Sequence, residues 1–191
     1  MSETVVETAG TSPLPGVATG TWVIDPAHSW VGFTVRHLMS RVRGRFTEFA
    51  GDIVVGATPQ TSSANVTVEL SSVNTGNDIR DNHLRTKDFF DVEQTPRMTF
   101  VSTGVRSAGD NWVLSGDLTI RDVTKPVEIE LEFLGVDPTG TQGEQRVGFE
   151  GHTSITRSDF GVSFGVATEG AKVVIGDKVD INLEIEATLD E

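Results

Sequence analysis

Histidine is the side chain of this sequence that titrates nearest to neutral pH, so the four histidines are the first candidates for chemistry. They are His28, His37, His83 and His152. No two of them have the close spacing that places two ligands on one face of a strand or helix, so the sequence predicts no metal site. Cysteine is absent, which excludes a thiolate nucleophile, a disulfide framework and a cysteine-ligated metal. We expect neither a metal ion nor a cofactor.

Arginine is the other residue type that could bind a ligand through its chemistry, because a guanidinium group matches the oxygens of a phosphate or diphosphate. Arg80 and Arg85 lie in a polar stretch in mid-chain, Arg157 follows a strand pattern, and Arg43 and Arg45 flank a glycine in "RVRGRF". That glycine indicates a bulge or a sharp bend. The same arginines could instead form ion pairs that fix the connections between elements, and both interpretations stay open.

Alternation of apolar and polar residues with period two recurs along most of the chain and predicts strands with one apolar face. Val179, Ile181 and Leu183 show it near the C-terminus. Nine segments are predicted as strands: 22–25, 29–37, 41–55, 64–73, 97–106, 111–121, 125–136, 145–157 and 177–189. The turn "IDPAHS" between the first two is predicted to be held by His28 and Ser29. Because so many strands leave free edges unless the sheet closes, we expect an all-β protein, an extended antiparallel barrel of eight or slightly more strands.

The segment "NTGNDIRDNHLRTKDFFDVEQTP" interrupts the alternation and predicts one or two short helices. Asn77 or Asp78 can cap such a helix at its N-terminus. Asp81 and Arg85 have the spacing of a favourable i, i+4 ion pair. We expect this segment to cover one end of the barrel.

Charge and length limit the classes of partner. The 191 residues carry a formal net charge of −13. Nucleic acid and anionic membranes are therefore poor partners for the surface as a whole, and an anionic ligand needs a local cluster of arginines. No apolar run reaches the roughly 20 residues of a membrane helix, and the N-terminus lacks the features of a secretory signal. We expect a flexible tail over residues 1–19, a single domain over 20–191 and a cytoplasmic location.

The inward positions of the predicted barrel are rich in valine, leucine, isoleucine and phenylalanine. They could pack into a solid core or line a channel for one small ligand, and periodicity alone does not separate these alternatives. Gly116 and Gly151 on inner faces leave volume that favours a channel. The predicted apolar lining comprises Val31, Phe33, Val35, Phe46, Phe100, Leu118, Ile120, Leu131, Phe133 and Phe149.

Several ordered blocks of the sequence resemble the YceI-like family of lipid-binding barrels. The blocks are "WVIDPAHSWVGFTVRHL", "VRGRF", "NTGNDIRDNHLRTKDFFDVEQTPRMTF", "GDLTIRDVTKPV" and "RSDFGV". The resemblance runs from about Thr21 to Leu189. It implies a lipocalin-like barrel that carries or stores a long-chain amphiphile, with polyisoprenoids as the leading example, and it is compatible with a homodimer.

Under this resemblance, polar residues near one end of the channel meet the head group of a long-chain isoprenoid or another amphiphilic lipid. His37 continues the apolar face of the second strand, where it could contact that head group or satisfy a neighbouring backbone carbonyl. The predicted head-group residues are His37, Arg45, Arg80, His83 and Arg157.

Two other functions stay open on the sequence. A small hydrolase or isomerase could use His37, His83 and either Asp81 or Asp159. Against it, Ser29 in "DPAHS" lacks the strand–turn–helix setting of a nucleophile elbow. The other alternative is a stress-associated protein with a solid core and an interaction surface.

Overall fold

The computed structural model describes residues 12–140, 142–166 and 174–190. Within them the chain forms eleven β-strands, one α-helix and three 3-10 turns. The strands are β1 Gly20–Ile24, β2 Trp30–His37, β3 Ser40–Phe46, β4 Phe49–Val55, β5 Ser63–Glu69, β6 Val73–Asn74, β7 Arg97–Ala108, β8 Asn111–Ile120, β9 Val123–Asp137, β10 Arg146–Thr156 and β11 Ile175–Leu189. The α-helix, α1, spans Asp78–Arg85, and the 3-10 turns span Pro59–Thr61, Leu70–Ser72 and Arg157–Phe160.

Eight strands form a closed antiparallel barrel in the order β1, β4, β5, β7, β8, β9, β10 and β11. Pairing of β1 with β11 closes the ring, with Trp22 opposite Leu189 and Ile24 opposite Ala187. The remaining strands, β2, β3 and β6, extend the sheet from β11. The predicted fold class is therefore confirmed, because closure leaves the barrel strands without free edges.

The extra strands continue barrel strands beyond a bend. The segments 41–55 and 64–73, each predicted as a single strand, are interrupted between β3 and β4 and between β5 and β6. Buried Ser72 stabilises the break, since its hydroxyl accepts from the backbone N–H groups of Thr47 at 3.1 Å and Glu48 at 3.0 Å. A hydroxyl that satisfies these backbone groups replaces the ladder bonds that a continuous strand would form.

The turn between β1 and β2 is held by the predicted residues. Asp25 accepts from the backbone N–H of Ala27 at 2.9 Å, and its other carboxylate oxygen lies 2.7 Å from Nδ1 of His28. Ser29 exchanges two hydrogen bonds with the backbone of Glu186, at 3.2 and 2.9 Å. These contacts tie the turn to Glu186 near the end of β11, between the residues that pair with β2 and those that pair with β1.

The polar segment after β6 forms one helix, as predicted, but not the predicted ion pair. The Asn77 side chain caps α1 by accepting from the N–H of Arg80 at 3.0 Å. Asp81 is buried and accepts from the N–H of Thr75 at 3.0 Å, whereas Arg85 donates to two backbone carbonyls. Backbone groups left unpaired at the end of β6 therefore bind both side chains, because buried backbone groups need partners.

The two ends of the barrel differ. The helix end carries α1, the β2–β3 turn and the Arg157–Phe160 turn, and the far end carries residues 12–19 and the β9–β10 connection. Leu14 and Val17, inside the predicted tail, are buried against the barrel core. Residues 1–11 of that predicted tail lie outside the described residues.

Buried apolar side chains form two clusters, and each cluster has members at both ends of the barrel. Trp22, Leu70 and Val147 are fully buried between the wall and its covering segments. Several inward-facing side chains, Phe33 and Leu131 among them, are only partly buried, which indicates open space at the axis. Among the described residues, no helix has the length and apolar character of a membrane span.

Candidate ligand-binding site

Two cavities lie along the barrel axis. The far cavity has a volume of about 180 Å³ and the helix-end cavity about 480 Å³. Val31, Met98 and Ile181 line both, so the two cavities adjoin at these residues. The larger one alone falls within the roughly 300–1,000 Å³ typical of small-molecule sites. The barrel is therefore hollow over much of its length rather than filled by a solid core.

Most residues of the predicted apolar lining face one of these cavities. Those on the far cavity are Val31, Phe100, Leu118, Leu131 and Phe149. Those on the helix-end cavity are Val31, Phe33, Val35, Phe46 and Ile120. The period-two pattern found them because inward positions on neighbouring strands pair directly, as in Phe100 opposite Leu118 and Val31 opposite Phe46.

Phe133 does not line either cavity, contrary to the prediction. A bulge at Gly148 and Phe149 shifts the pairing of β10 with β9, so that Phe133 lies opposite Phe149 and Leu134 is left unpaired. The two phenylalanine rings pack with centroids 5.7 Å apart. Phe133 therefore lies beside a lining residue on the same face of the sheet.

Glycines on the inner wall provide room for aromatic rings rather than for open volume. A Cβ on Gly116 would collide with the ring of Phe100, and a Cβ on Gly44 would collide with the ring of Phe33. The space at Gly151 is taken by Leu131 and a neighbouring leucine. The bulge predicted at Gly44 is absent, since β2 and β3 pair there in regular register. The open space thus comes from barrel closure and not from missing side chains.

Polar groups are concentrated on one side of the helix-end cavity. His37 ends β2, Asn77 caps α1, and Arg80 and His83 lie one turn apart on that helix. Arg157 contributes from the turn after β10. The far cavity has only hydroxyl side chains, such as that of Thr153, among its apolar lining. A ligand with one polar end therefore fits with that end at the helix end of the barrel.

Arg80 is positioned by a hydrogen-bonded chain rather than by a direct ion pair. Its Nε donates to the hydroxyl of Thr75 at 2.7 Å and its Nη2 to the carbonyl of Thr75 at 3.0 Å. That hydroxyl donates in turn to the buried carboxylate of Asp81. Thr75 thus holds the guanidinium of Arg80 at the cavity wall. The two bonds to Thr75 leave other N–H groups of this guanidinium unused.

Arg157 is buried and held by backbone carbonyls. It donates to Val162 at 2.8 Å, Gly176 at 2.8 Å and Ile175 at 3.2 Å. Burial lowers the pKa of the Arg157 guanidinium below its usual range, while the charge of Asp177 opposes this effect. Instead of the ion pair weighed from sequence, Arg157 joins the turn after β10 to the start of β11, and it brings a buried positive charge to the cavity wall.

His83 is held between a carboxylate and two rings. Its Nε2 lies 2.8 Å from Oδ2 of Asp88, a partner that sequence reasoning missed. The imidazole packs edge-on against Phe89 and Phe164, with ring centroids 5.1 and 5.0 Å away. Its other nitrogen, Nδ1, has no partner among the described residues and can donate to or accept from a ligand.

Arg45 lies outside the site, contrary to the prediction. Val42, Gly44 and Phe46 occupy the inner face of β3, so Arg45 points outward. Its guanidinium sits 4.7 Å from the centre of the Trp30 ring, in a cation–π contact.

Of the residues proposed for an enzyme, the two histidines line the same cavity. Asp81 is bound to Thr75, and within the described ranges no hydrogen bond joins His37 or His83 to Asp81 or Asp159. A Gly-x-Ser-x-Gly pattern that sequence reasoning missed lies at residues 161–165, with Ser163 at its centre. It follows a 3-10 turn and not a strand, so it lacks the strand–turn entry of a nucleophile elbow. No group of three potential metal ligands is close together in the part of the chain that the structure describes.

Comparison with known proteins agrees with this architecture. The family model of the YceI-like domain matches residues 22–187. The chain belongs to the YceI-like family. A UPF0312 protein of Staphylococcus epidermidis is 36% identical over 168 residues, which cover 87% of this chain and 96% of the relative.

Two solved structures have the same fold. Burkholderia cenocepacia BcnA superposes with a TM-score of 0.76 at 24% identity, covering 86% of this chain and 99% of BcnA. A domain from Saccharophagus degradans, described as polyisoprenoid-binding and implicated in plant cell wall breakdown, gives a TM-score of 0.65 at 18% identity. That match covers 90% of this chain and 99% of the domain. At these identities the likeness establishes the fold.

Proposed function

We propose that this protein is a non-catalytic carrier or store of a long-chain amphiphilic lipid, with a polyisoprenoid as the leading class. The observation that carries the proposal is the pair of apolar cavities that meet along the barrel axis, with polar side chains gathered at one end. A ligand with a long apolar tail and a single polar head matches this distribution. The description of the Saccharophagus degradans domain as polyisoprenoid-binding supports the same class.

The energetics of such a site need no covalent bond. Each buried methylene contributes about 0.8 kcal/mol, so a five-carbon prenyl unit contributes about 3–4 kcal/mol before ordering costs. Micromolar affinity corresponds to about 8 kcal/mol. A few prenyl units in the cavities therefore suffice, and the apolar tail supplies most of the binding free energy.

The positions of the polar groups determine the orientation of the bound lipid. The head group lies at the helix end, within reach of His37, Asn77, Arg80 and His83, and the tail extends past Ile181 toward the far cavity. An anionic head group gains from Arg80 and from the buried charge of Arg157. A neutral head group can hydrogen-bond to the imidazoles and the amide.

Native mass spectrometry tests the proposal directly. Protein stripped of lipid by denaturation and refolding is mixed with prenyl phosphates of increasing chain length, and the bound mass is read from the intact complex. We expect one lipid per chain, with occupancy that rises with tail length and then levels off when the cavities are filled. A failure of every prenyl lipid and fatty amphiphile to bind would overturn the proposal, and turnover of the bound lipid would contradict the non-catalytic role.

A paired substitution on β11 tests the tail path. Ile181→Trp places a large ring where the two cavities meet, whereas Asn182→Trp places the same ring on the outer face of the same strand. We expect Ile181→Trp to shorten the longest prenyl chain that binds, while short chains still enter the helix-end cavity. Asn182→Trp keeps the wild-type preference. Equal chain-length limits in the two folded variants would contradict this tail path.

A further inference from the structure

The β2–β3 hairpin stands beside the opening of the helix-end cavity. His37 and Val42 on its inner face line that cavity. Its tip is the two-residue turn Leu38–Met39, and the N–H of Leu38 donates to the carbonyl of Val174 at 2.9 Å. The hairpin therefore presents one face to the cavity and its tip to the surroundings.

The tip exposes large apolar side chains. Met39 is 97% exposed and Leu38 46% exposed. Leu38 also has a positive φ of 50°, a backbone conformation in which glycine or asparagine is favoured and leucine is uncommon. A polar residue or glycine would suit both the backbone and the solvent better. Folding of the isolated chain therefore does not explain this leucine, which points to a partner for the tip.

The strands behind the tip carry a concentrated positive charge on a protein whose net charge is −13. No aspartate or glutamate occurs from Trp30 to Phe46. Arg36, Arg41 and Arg43 are all exposed on the outer face, and Arg36 lies directly opposite Arg41. Like charges in this arrangement destabilise a sheet unless an anion neutralises them.

Two acids of β11 beside the hairpin are already engaged. The carboxylate of Asp177 accepts from the backbone N–H of Ser158 at 2.9 Å and from its hydroxyl at 2.6 Å. Asp180 on β11 lies opposite Thr34 of β2, and its carboxylate is bound by the hydroxyl of Ser154 at 2.7 Å and by Lys178 at 3.2 Å. Among the described residues none of Arg36, Arg41 and Arg43 forms a salt bridge, so the hairpin carries a local basic surface.

Further exposed apolar residues surround the same opening. Ile79, at the start of α1, is 85% exposed and also lines the helix-end cavity. Phe164 is 45% exposed and packs against His83 of the same helix, and Val174 is 41% exposed beside the hairpin tip. We name Leu38, Met39, Ile79, Phe164 and Val174 the apolar rim.

We propose that the helix end of the barrel docks on the surface of an anionic phospholipid bilayer. The apolar rim enters the boundary between head groups and acyl chains while Arg36, Arg41 and Arg43 bind lipid phosphates. The apolar tip and the basic strands beside it together match the acyl chains and phosphates of a bilayer. A nucleic acid would bind the arginines but not the apolar tip. Docking in this pose holds the opening of the helix-end cavity against the membrane. A lipid tail can then pass between the membrane and the cavity without crossing water, a consequence that rests on the proposed function.

Vesicle flotation with the full chain tests docking separately from lipid uptake. The probes are vesicles of phosphatidylcholine alone and of phosphatidylcholine with an equal amount of phosphatidylglycerol. We expect binding to the anionic vesicles and little to the neutral ones, and a strong decrease in binding at high salt. Arg41→Glu combined with Arg43→Glu lowers the partition coefficient by at least about tenfold, since each basic residue near an anionic surface contributes roughly fivefold.

Matched variants separate the hairpin from general surface effects. Leu38→Gly combined with Met39→Ser removes the apolar tip and suits the backbone of the turn, and it reduces vesicle binding. Arg106→Glu and Leu134→Asp change an exposed arginine and an exposed leucine away from the helix end, and they leave binding unchanged. Circular dichroism verifies that each variant is folded.

Several outcomes overturn docking. They are absence of wild-type binding to anionic vesicles, equal losses in the hairpin and control variants, and capture of an acidic protein by the hairpin without vesicle binding. Uptake of dispersed prenyl lipid, measured by native mass spectrometry, would still support the proposed function in each of these cases. Vesicle binding without lipid uptake would keep docking and remove the carrier role.

Discussion

At the scale of the residue, Arg157 shows how one side chain can hold the wall of a ligand site. Its guanidinium joins the carbonyls of Val162, Ile175 and Gly176, and it lies at the edge of the helix-end cavity. A buried cation bound only to neutral acceptors in the described structure is costly to desolvate, and its removal leaves three carbonyls without a donor. The arginine therefore stabilises the connection between β10 and β11, and its positive charge contributes to the electrostatic potential in the cavity.

Replacing this arginine should destabilise the protein strongly. We expect Arg157→Met to lower the free energy of unfolding by about 2–5 kcal/mol, as measured by urea denaturation. Arg121→Met is the matched control, because Arg121 makes one hydrogen bond, at 2.8 Å to the carbonyl of Gly161. We expect a loss below about 1.5 kcal/mol for the control. Similar losses in the two variants would contradict the role of the triple contact.

At the scale of the element, the turn between β1 and β2 depends on a small charged network. Arg146 donates to Asp25 at 2.8 Å, to Glu186 at 3.0 Å and to Glu144 at 3.0 Å. The hydrogen bond from Arg146 is the main reason that the pKa of Asp25 falls from 3.8 to about 2, with His28 assisting and burial opposing. This network stabilises the position on β11 at which its pairing changes from β1 to β2.

The lowered pKa predicts a specific loss of stability in acid. Because the Asp25 carboxyl ionises more readily in the folded chain, its contribution is complete above about pH 4 and disappears as the pH falls toward 2. We expect Arg146→Gln to destabilise the protein by about 1–2 kcal/mol at pH 7, after allowance for solvent screening. The difference from wild type narrows near pH 2.

Urea unfolding of both proteins across this pH range measures the effect. Lys178→Gln is the control, since it removes an exposed pair with Asp180 and should cost less than about 1 kcal/mol. A gap between wild type and Arg146→Gln that stays constant from pH 7 to 2 would show that Asp25 is not the responsible group.

At the scale of the whole molecule, the hollow barrel couples stability to the ligand. A lipid that binds only the folded chain stabilises it by about 2.7 kcal/mol at a free concentration of 100 times Kd. For a domain of this size we expect the midpoint of thermal unfolding to rise by about 5–10 °C. A prenyl chain too short to reach the far cavity raises it less at equal concentration.

Differential scanning calorimetry with a long and a short prenyl phosphate measures this shift. Ser163→Ala serves as the control and should show the wild-type rise, because that serine is exposed and contributes to neither cavity. A rise that is independent of chain length would contradict tail burial along the axis.

Strand positions were largely predictable from sequence. The segments predicted over 111–121 and 125–136 correspond to Asn111–Ile120 and Val123–Asp137, and the inward faces were assigned correctly for Phe33, Leu118 and Leu131. Alternation is a local property, since residues two apart in a strand face the same side whatever the strand pairs with. Phe133 shares the face of Leu131 but lines neither cavity, because the extent of a cavity depends on tertiary packing and not on alternation.

The partners of the charged residues were not predictable. Arg157 binds carbonyls from two separate segments, Arg45 lies over Trp30, and His83 pairs with Asp88. Each contact depends on how the chain folds back at the helix end, and sequence spacing carries little information about that geometry. The arginine-rich hairpin was visible as residue types, but its position beside the cavity opening came from the tertiary arrangement.

By itself, the sequence determined the strands, their apolar faces and the family resemblance, because these depend on residue type and short-range order. Only the tertiary structure decided that the apolar faces enclose two adjoining cavities and that the polar groups converge at one end. The reason is geometric: the volume inside a barrel depends on ring closure, strand tilt and pairing register, which are set by contacts between distant parts of the chain.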